Sequence, residues 1–115
     1  MHLYDWSAVE REQLNPLFAR QVIYADSMTV ARVFLKKGCL VPMHSHVNEQ
    51  LSVMEQGEMQ FIVDGKPVLV KAGQTLRIPS NVPHSAEALV DSVSLDVFSG
   101  IREDWRSGSD AYLRR

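Results

Sequence analysis

Between residues 20 and 98 the chain runs in short alternations of apolar and polar residues, with no sustained helical stripe. Met28-Thr-Val-Ala-Arg-Val-Phe-Leu35, rich in β-branched residues and closed by Lys36-Lys-Gly38, predicts a strand, because side chains on extended backbone point alternately to two faces. The same pattern predicts strands at Arg20–Tyr24, Gln50–Met54, Glu58–Val63, Val68–Val70, Leu76–Ile78, His84–Leu89 and Val93–Phe98. Glu55-Gln-Gly57 is a hairpin signal, and so is Val63-Asp64-Gly65-Lys66, since Asp-Gly supplies the positive φ angles of a tight turn. Short strands recurring about every 8–12 residues indicate a sandwich or a closed barrel. The expected fold class is all-β, one domain over residues 1–115 with its barrel core at about 20–100. Before the core, Glu10-Arg-Glu-Gln13 predicts a helical turn ended by Asn15-Pro16. Trp6, Leu14, Leu17 and Phe18 anchor this arm to the barrel or across a dimer interface. Beyond Arg102 the alternation stops, and Trp105 is the one strong anchor of the tail. Phe34, Met43, Met54, Met59 and Phe61 are expected in the core.

Composition narrows the function classes. A chain of 115 residues is one domain, long enough to hide roughly two-thirds of its unfolded surface. Apolar content of 45% and charged content of 23% are those of an ordinary globular protein. A net charge of −2 argues against nucleic acid or an anionic membrane as partner. The amino terminus lacks the basic start and apolar run of a signal peptide, and no apolar stretch is long enough to span a bilayer. The single cysteine, Cys39, excludes an internal disulfide and fits a reducing cytoplasm. Its expected role is packing, with metal ligation or nucleophilic chemistry as the alternatives.

The chemistry concentrates on histidine. Of four histidines, His44 and His46 are two apart in a segment expected to be extended, which places both rings on one face. His84 follows a second segment punctuated by glycine and proline, Gly73-Gln-Thr-Leu-Arg-Ile-Pro79-Ser-Asn81-Val-Pro83. Three imidazoles converging inside a small β-domain make a site for zinc, nickel, iron or copper. His2, near the terminus, has no such company. A second cluster is Asp96-Val-Phe98-Ser-Gly-Ile-Arg102. A carboxylate in a barrel strand needs a partner. Arg102 is the expected counter-ion, either in a buried ion pair closing the barrel or beside a carboxylate that transfers protons.

The spacing Gly-x5-His-x-His-x3-Gln-x6-Gly over Gly38 to Gly57 resembles the first motif of the cupin superfamily, and Gly-x5-Pro-x-Asn-x2-His over Gly73 to His84 resembles the second. The resemblance implies a double-stranded β-helix barrel, jelly-roll-like, with one divalent metal ion in its mouth. Gln50 stands where that family usually has glutamate, Asn81 where it has glycine, and Ala88 where the second motif ends in asparagine. Asparagine tolerates the left-handed region that glycine would occupy. Strand parity counted from His44 and His46 favours Gln50 over Glu49 as fourth ligand, leaving Glu49 on the surface. A neutral amide leaves the metal its full charge, a better Lewis acid for an anionic substrate. Arg77 is expected in an exterior ion pair.

Within the superfamily, His-x-His, Gln, a later His and Asp-x-Phe-x3-Arg before Glu103-Asp104-Trp105 resemble the pectin-degradation type, the cupins that ketonise unsaturated uronates. A proline common before the arginine in that type is absent, and Gly100-Ile101 stand there. The resemblance implies His44, His46, Gln50 and His84 as metal ligands, Asp96 and Arg102 as catalytic residues, and Phe98 with Arg102 as substrate-binding residues. It also implies a 4,5-unsaturated monouronate as substrate, ring opening with enol-to-keto proton transfer as reaction, and a homodimer. No redox change is needed, so zinc or nickel is favoured over iron or manganese. Alternatives are another metal cupin enzyme, such as a dioxygenase or sugar isomerase, and a non-catalytic cupin that binds a sugar acid.

Overall fold

The structure, a computed structural model, describes all residues from Met1 to Arg115. A short 3-10 turn at Trp6–Ala8 is followed by ten strands, β1 (Glu12–Asn15), β2 (Phe18–Tyr24), β3 (Met28–Leu35), β4 (Leu40–His44), β5 (Gln50–Gln56), β6 (Glu58–Val63), β7 (Lys66–Lys71), β8 (Thr75–Ile78), β9 (His84–Ala88) and β10 (Ser92–Ser99). The chain ends in a single helical turn, α1 (Glu103–Arg106), and a 3-10 turn at Ala111–Leu113. The strands form a six-stranded sheet in the order β1-β2-β3-β10-β5-β8 and a four-stranded sheet in the order β4-β9-β6-β7. Every pairing is antiparallel. This is the all-β, two-sheet architecture that the strand pattern predicts, in the jelly-roll form that the motif resemblance implies. No helix is long and apolar enough to cross a membrane.

Alternation decides what enters the space between the sheets. On β3 the inward positions are Thr29, Ala31, Val33 and Leu35, and on β6 they are Met59 and Phe61. The apolar ones join Phe18, Met54 and Ile78 in one buried cluster. Each large apolar side chain buried this way contributes roughly 1.5–3 kcal/mol. On β5 and β10 the inward residues change character along the strand. Gln50 and Ser52 precede Met54, while Ser94 and Asp96 precede Phe98. In the antiparallel register Ser52 lies across from Asp96, Gln50 from Phe98 and Ser94 from Met54, so a polar patch runs from the site into the apolar interior. The hairpin between β6 and β7 turns as the Asp-Gly pair requires, with φ of 52° at Asp64 and 76° at Gly65. At Gly57, with φ of +87°, an added Cβ would lie 2.2 Å from Ser92 Oγ and 2.5 Å from the Asp91 carbonyl, so no other residue fits that turn.

Four expectations need correction. Glu10–Gln13 forms no helical turn. Glu12–Asn15 is an edge strand whose Glu12 pairs with Arg20, because a four-residue segment cannot offset helix nucleation whereas an existing strand offers ladder bonds at once. Met43 is exposed, since β4 presents it to solvent. Phe34 lies on the outer face of β3, where the guanidinium of Arg11 covers its ring at 4.0 Å. Trp105 is buried as expected, but the tail has further anchors. Leu113 is buried, and Asp110 is wholly enclosed against the equally buried Arg20, Nη2 to Oδ2 2.6 Å.

Candidate metal centre

His44 ends β4 and His84 begins β9, and the two are cross-strand partners. His46 lies two residues past β4, in the loop that leads to β5, so the loop rather than strand alternation brings its ring to the others. The ring centroids are 4.3 Å (His44–His84), 4.9 Å (His46–His84) and 5.6 Å (His44–His46) apart, and one ring nitrogen of each lies within 4.8 Å of the other two. Each Nδ1 faces a backbone carbonyl: Pro42 at 2.7 Å for His44, Asn48 at 2.9 Å for His46, Val82 at 2.9 Å for His84. A nitrogen facing a carbonyl oxygen must carry the proton, so all three Nε2 lone pairs are turned to the shared space. His84 Nε2 is buried without a partner. Burial lowers His44 and His46 to about 4, helped by the neighbouring imidazoles and Arg102, and it lowers His84 as well. Three neutral imidazoles with converging lone pairs are a donor set for a divalent metal ion.

Gln50 joins them from β5. Its Oε1 lies 3.1 Å from His46 Nε2, and its Nε2 donates to Ser52 Oγ at 2.9 Å. With the His46 proton on Nδ1, that first contact sets one lone pair against another, which a cation between them would relieve. Glu49 points the opposite way and its carboxylate accepts from Arg77 Nε at 2.8 Å on the surface. The expected inside-outside split of Glu49 and Gln50 is therefore present, but parity counted from β4 does not cause it. Gln50 opens a strand of the other sheet, and the parity of β5 sets its direction.

Asp96 lies directly across from Ser52 in the β5–β10 ladder. Its carboxylate accepts from Ser94 Oγ at 2.7 Å and from the Ser52 hydroxyl, and burial raises it to about 6 against those bonds and the charge of Arg102. Its partial exposure is to the internal cavity, which it lines with His44, Gln50, His84, Phe98 and Arg102. The free space there is about 50 Å³, enough for an ion and a few waters.

Arg102 is not the counter-ion of Asp96. Its Nε and Nη2 donate to Asp104 Oδ1 and Oδ2 at 3.0 and 2.8 Å, and Nη2 also donates to the Tyr112 hydroxyl at 2.9 Å. The turn of α1 sets Asp104 beside Arg102, two residues away, and satisfies the guanidinium locally. Burial works against the charge of Asp104, but the bonds from Arg102 outweigh it and hold that carboxyl below its usual range. The guanidinium stacks over Phe98 (4.7 Å) and Trp105 (4.2 Å), and Arg102 is almost wholly buried. Ser52, Ser94, Asp104 and Tyr112 were not among the expected site residues. Ser52 and Ser94 share strand faces with Gln50 and Asp96, a signal that was legible. Nothing in the sequence pattern marks Tyr112, whose ring lies 4.9 Å from that of His44.

A two-sheet barrel with a histidine cluster at one end of its interior defines a cupin. Residues 31–98 match the family described as Cupin domain, and the chain belongs to that family. Among individual proteins, it is 26% identical over 97 residues to the pectin degradation protein KdgF of Dickeya dadantii strain 3937, covering 82% of this chain and 88% of that protein. In three dimensions it is similar to an RmlC-like cupin from Shewanella frigidimarina NCIMB 400, with a TM-score of 0.85 and 26% identity over 91% of this chain and 96% of that one. It is also similar to KdgF from Halomonas sp., with a TM-score of 0.84 and 21% identity over 91% and 98%.

Proposed function

We propose that this cupin is a metal-dependent enzyme that converts 4,5-unsaturated monouronates, the sugars left by pectin and alginate lyases, into their linear keto forms. The observation that carries the reading is a single cavity lined by His44 and His84 of the neutral histidine cluster, a carboxyl raised to about 6, and a buried arginine. The likeness to the pectin degradation protein supports the substrate class. His44, His46, His84 and Gln50 are the proposed ligands of one divalent ion, zinc or nickel. Such an ion supplies positive charge for an enolate oxygen without any redox change.

The remaining roles fall to the chain. Arg102 keeps Nη1 free of hydrogen bonds and offers it to the substrate carboxylate. Phe98 packs against the sugar ring. As the ring opens, the anomeric hydroxyl gives up a proton and becomes the aldehyde. The enol carbon then takes up one proton as the ketone forms, so atoms balance with no co-reactant. Asp96, titrating near neutrality, is suited to carry that proton in both directions. A monouronate is bulkier than the free space, so its entry displaces part of the wall. Homodimerisation and cytoplasmic residence go with this reading. Cys39 has no part in it, since burial raises its thiol to about 11.

The test is loss of the ultraviolet absorbance of a 4,5-unsaturated uronate by zinc- or nickel-loaded protein, with and without oxygen. Turnover that is metal-dependent and independent of oxygen is expected. Turnover only with iron and oxygen would select a dioxygenase instead, and tight binding without turnover would select a sugar-acid-binding cupin.

A further inference from the structure

The C-terminal 3-10 turn reaches the site through two residues, Leu113 on the cavity wall and Tyr112 on the histidines. Tyr112 packs its ring on His44, 4.9 Å between centroids and 34° between planes, and no other tail residue stacks on a histidine of the cluster. Its hydroxyl accepts from Arg102 Nη2 at 2.9 Å and donates to Asp104 Oδ2 at 3.2 Å, closing a triangle with the Arg102–Asp104 pair. The three imidazoles are otherwise steadied in different ways. His84 is buried within the barrel, and His46 has Phe98 edge-on at 5.6 Å. His44 sits at the end of β4 with its Nδ1 tied to Pro42, and Tyr112 covers its ring from outside.

The turn is built to hold that position. Asp110, just before it, pairs with buried Arg20 on β2, and Leu113, just after Tyr112, is buried in the main cluster. Asn15 Nδ2 donates to the Leu113 carbonyl at 3.1 Å, and Arg114 reaches both Asp110 and Glu12. Of these anchors only Leu113 reaches the cavity wall, and the ion pairs of Asp110 and Arg114 with Arg20 and Glu12 clamp the tail to the barrel and deliver Tyr112 to the site.

We propose that Tyr112 is a positioning residue: its ring seats His44 for the metal, and its hydroxyl, with Asp104, aims Arg102 at the substrate carboxylate. Resting on the function proposed above, this makes the C-terminal turn the element that ties metal binding to recognition of a sugar acid. The two halves of the side chain have separable duties, which a pair of variants resolves. Tyr112→Phe keeps the ring and removes the hydroxyl, whereas Tyr112→Ala removes both.

Zinc affinity of the metal-free proteins, measured by competition with a chromogenic chelator, reads the ring. Tyr112→Ala should bind zinc about 10–100-fold more weakly, the usual cost of losing support around a metal ligand, and Tyr112→Phe should restore wild-type affinity. Steady-state kinetics of the zinc-loaded proteins on an unsaturated monouronate read the hydroxyl. Tyr112→Phe should raise KM about tenfold, the cost of one hydrogen bond to a charged group, with little change in kcat. Wild-type zinc affinity in Tyr112→Ala, or a wild-type KM in Tyr112→Phe, overturns the assignment. If the wild-type protein binds zinc but turns over no unsaturated uronate, the functional reading falls, and the zinc series alone decides whether Tyr112 seats His44.

Discussion

Replacing Asp96 by Asn separates what the site costs the fold from what it does. In the folded chain burial raises this carboxyl to about 6, against the bonds from Ser94 and Ser52. In the unfolded chain it titrates near 3.9. A group that holds its proton more tightly when folded contributes stability that is fully present below the unfolded value, and loses it as pH rises through the folded one. The difference of roughly 2 pKa units, at about 1.36 kcal/mol each, makes ionised Asp96 cost the native state up to about 3 kcal/mol near neutrality. Asn has the same shape, still accepts from Ser94, and carries no charge to desolvate. Asp96→Asn should therefore exceed the wild type by up to about 3 kcal/mol at about pH 7.5 and by almost nothing at about pH 4. Urea unfolding of the metal-free proteins, followed by fluorescence of Trp6 and Trp105, measures it. With a slope of about 1–3 kcal/mol per molar, the midpoints should differ by about 1–3 M at the higher pH and converge on acidification. Glu12 and Asp104, whose carboxyls are held below their usual range, titrate with the opposite sign but are common to both proteins, so the difference isolates Asp96. A variant less stable than the wild type near neutrality, or a gap that does not close in acid, would refute the reasoning. Uronate turnover by the same variant should be lost with its metal content intact.

Two further outcomes follow from the same geometry. Gln50→Glu adds a negative charge beside His46 and should tighten zinc binding in a chelator competition while slowing uronate turnover, because the ion it holds is a weaker Lewis acid; looser zinc binding would argue that Gln50 is not a ligand. Asp110→Asn leaves Arg20, 1% exposed, facing Glu12 alone, and should cost about 3–5 kcal/mol in urea unfolding, whereas a loss under about 1 kcal/mol would mean that this pair does not anchor the tail.

Most of the barrel was legible because a strand's identity is written locally, in period-two alternation and in turn residues such as Asp64-Gly65. The three imidazoles were legible as well, since glycine and proline spacing fixes where such a fold returns its strands. Local reading failed where a neighbouring element decides the outcome. Glu12–Asn15 is a strand only because β2 lies beside it, and Phe34 faces outward because β3 buries its other face. Asp96 and Arg102 looked like a pair because both lacked partners in the sequence. In space Ser52 and Ser94 serve the one, while Asp104 and Tyr112 serve the other.

What the amino-acid sequence determined by itself is the period of the strands, the turns between them and the supply of metal-binding side chains. Those depend on residues within a few positions of one another. Only the tertiary structure decided that His46 arrives by a loop, that Gln50 enters from the opposite sheet, and that a tyrosine 68 residues beyond His44 closes over its ring. Contacts of that range are set by how two sheets stack and where a clamped tail ends, and no local periodicity encodes either.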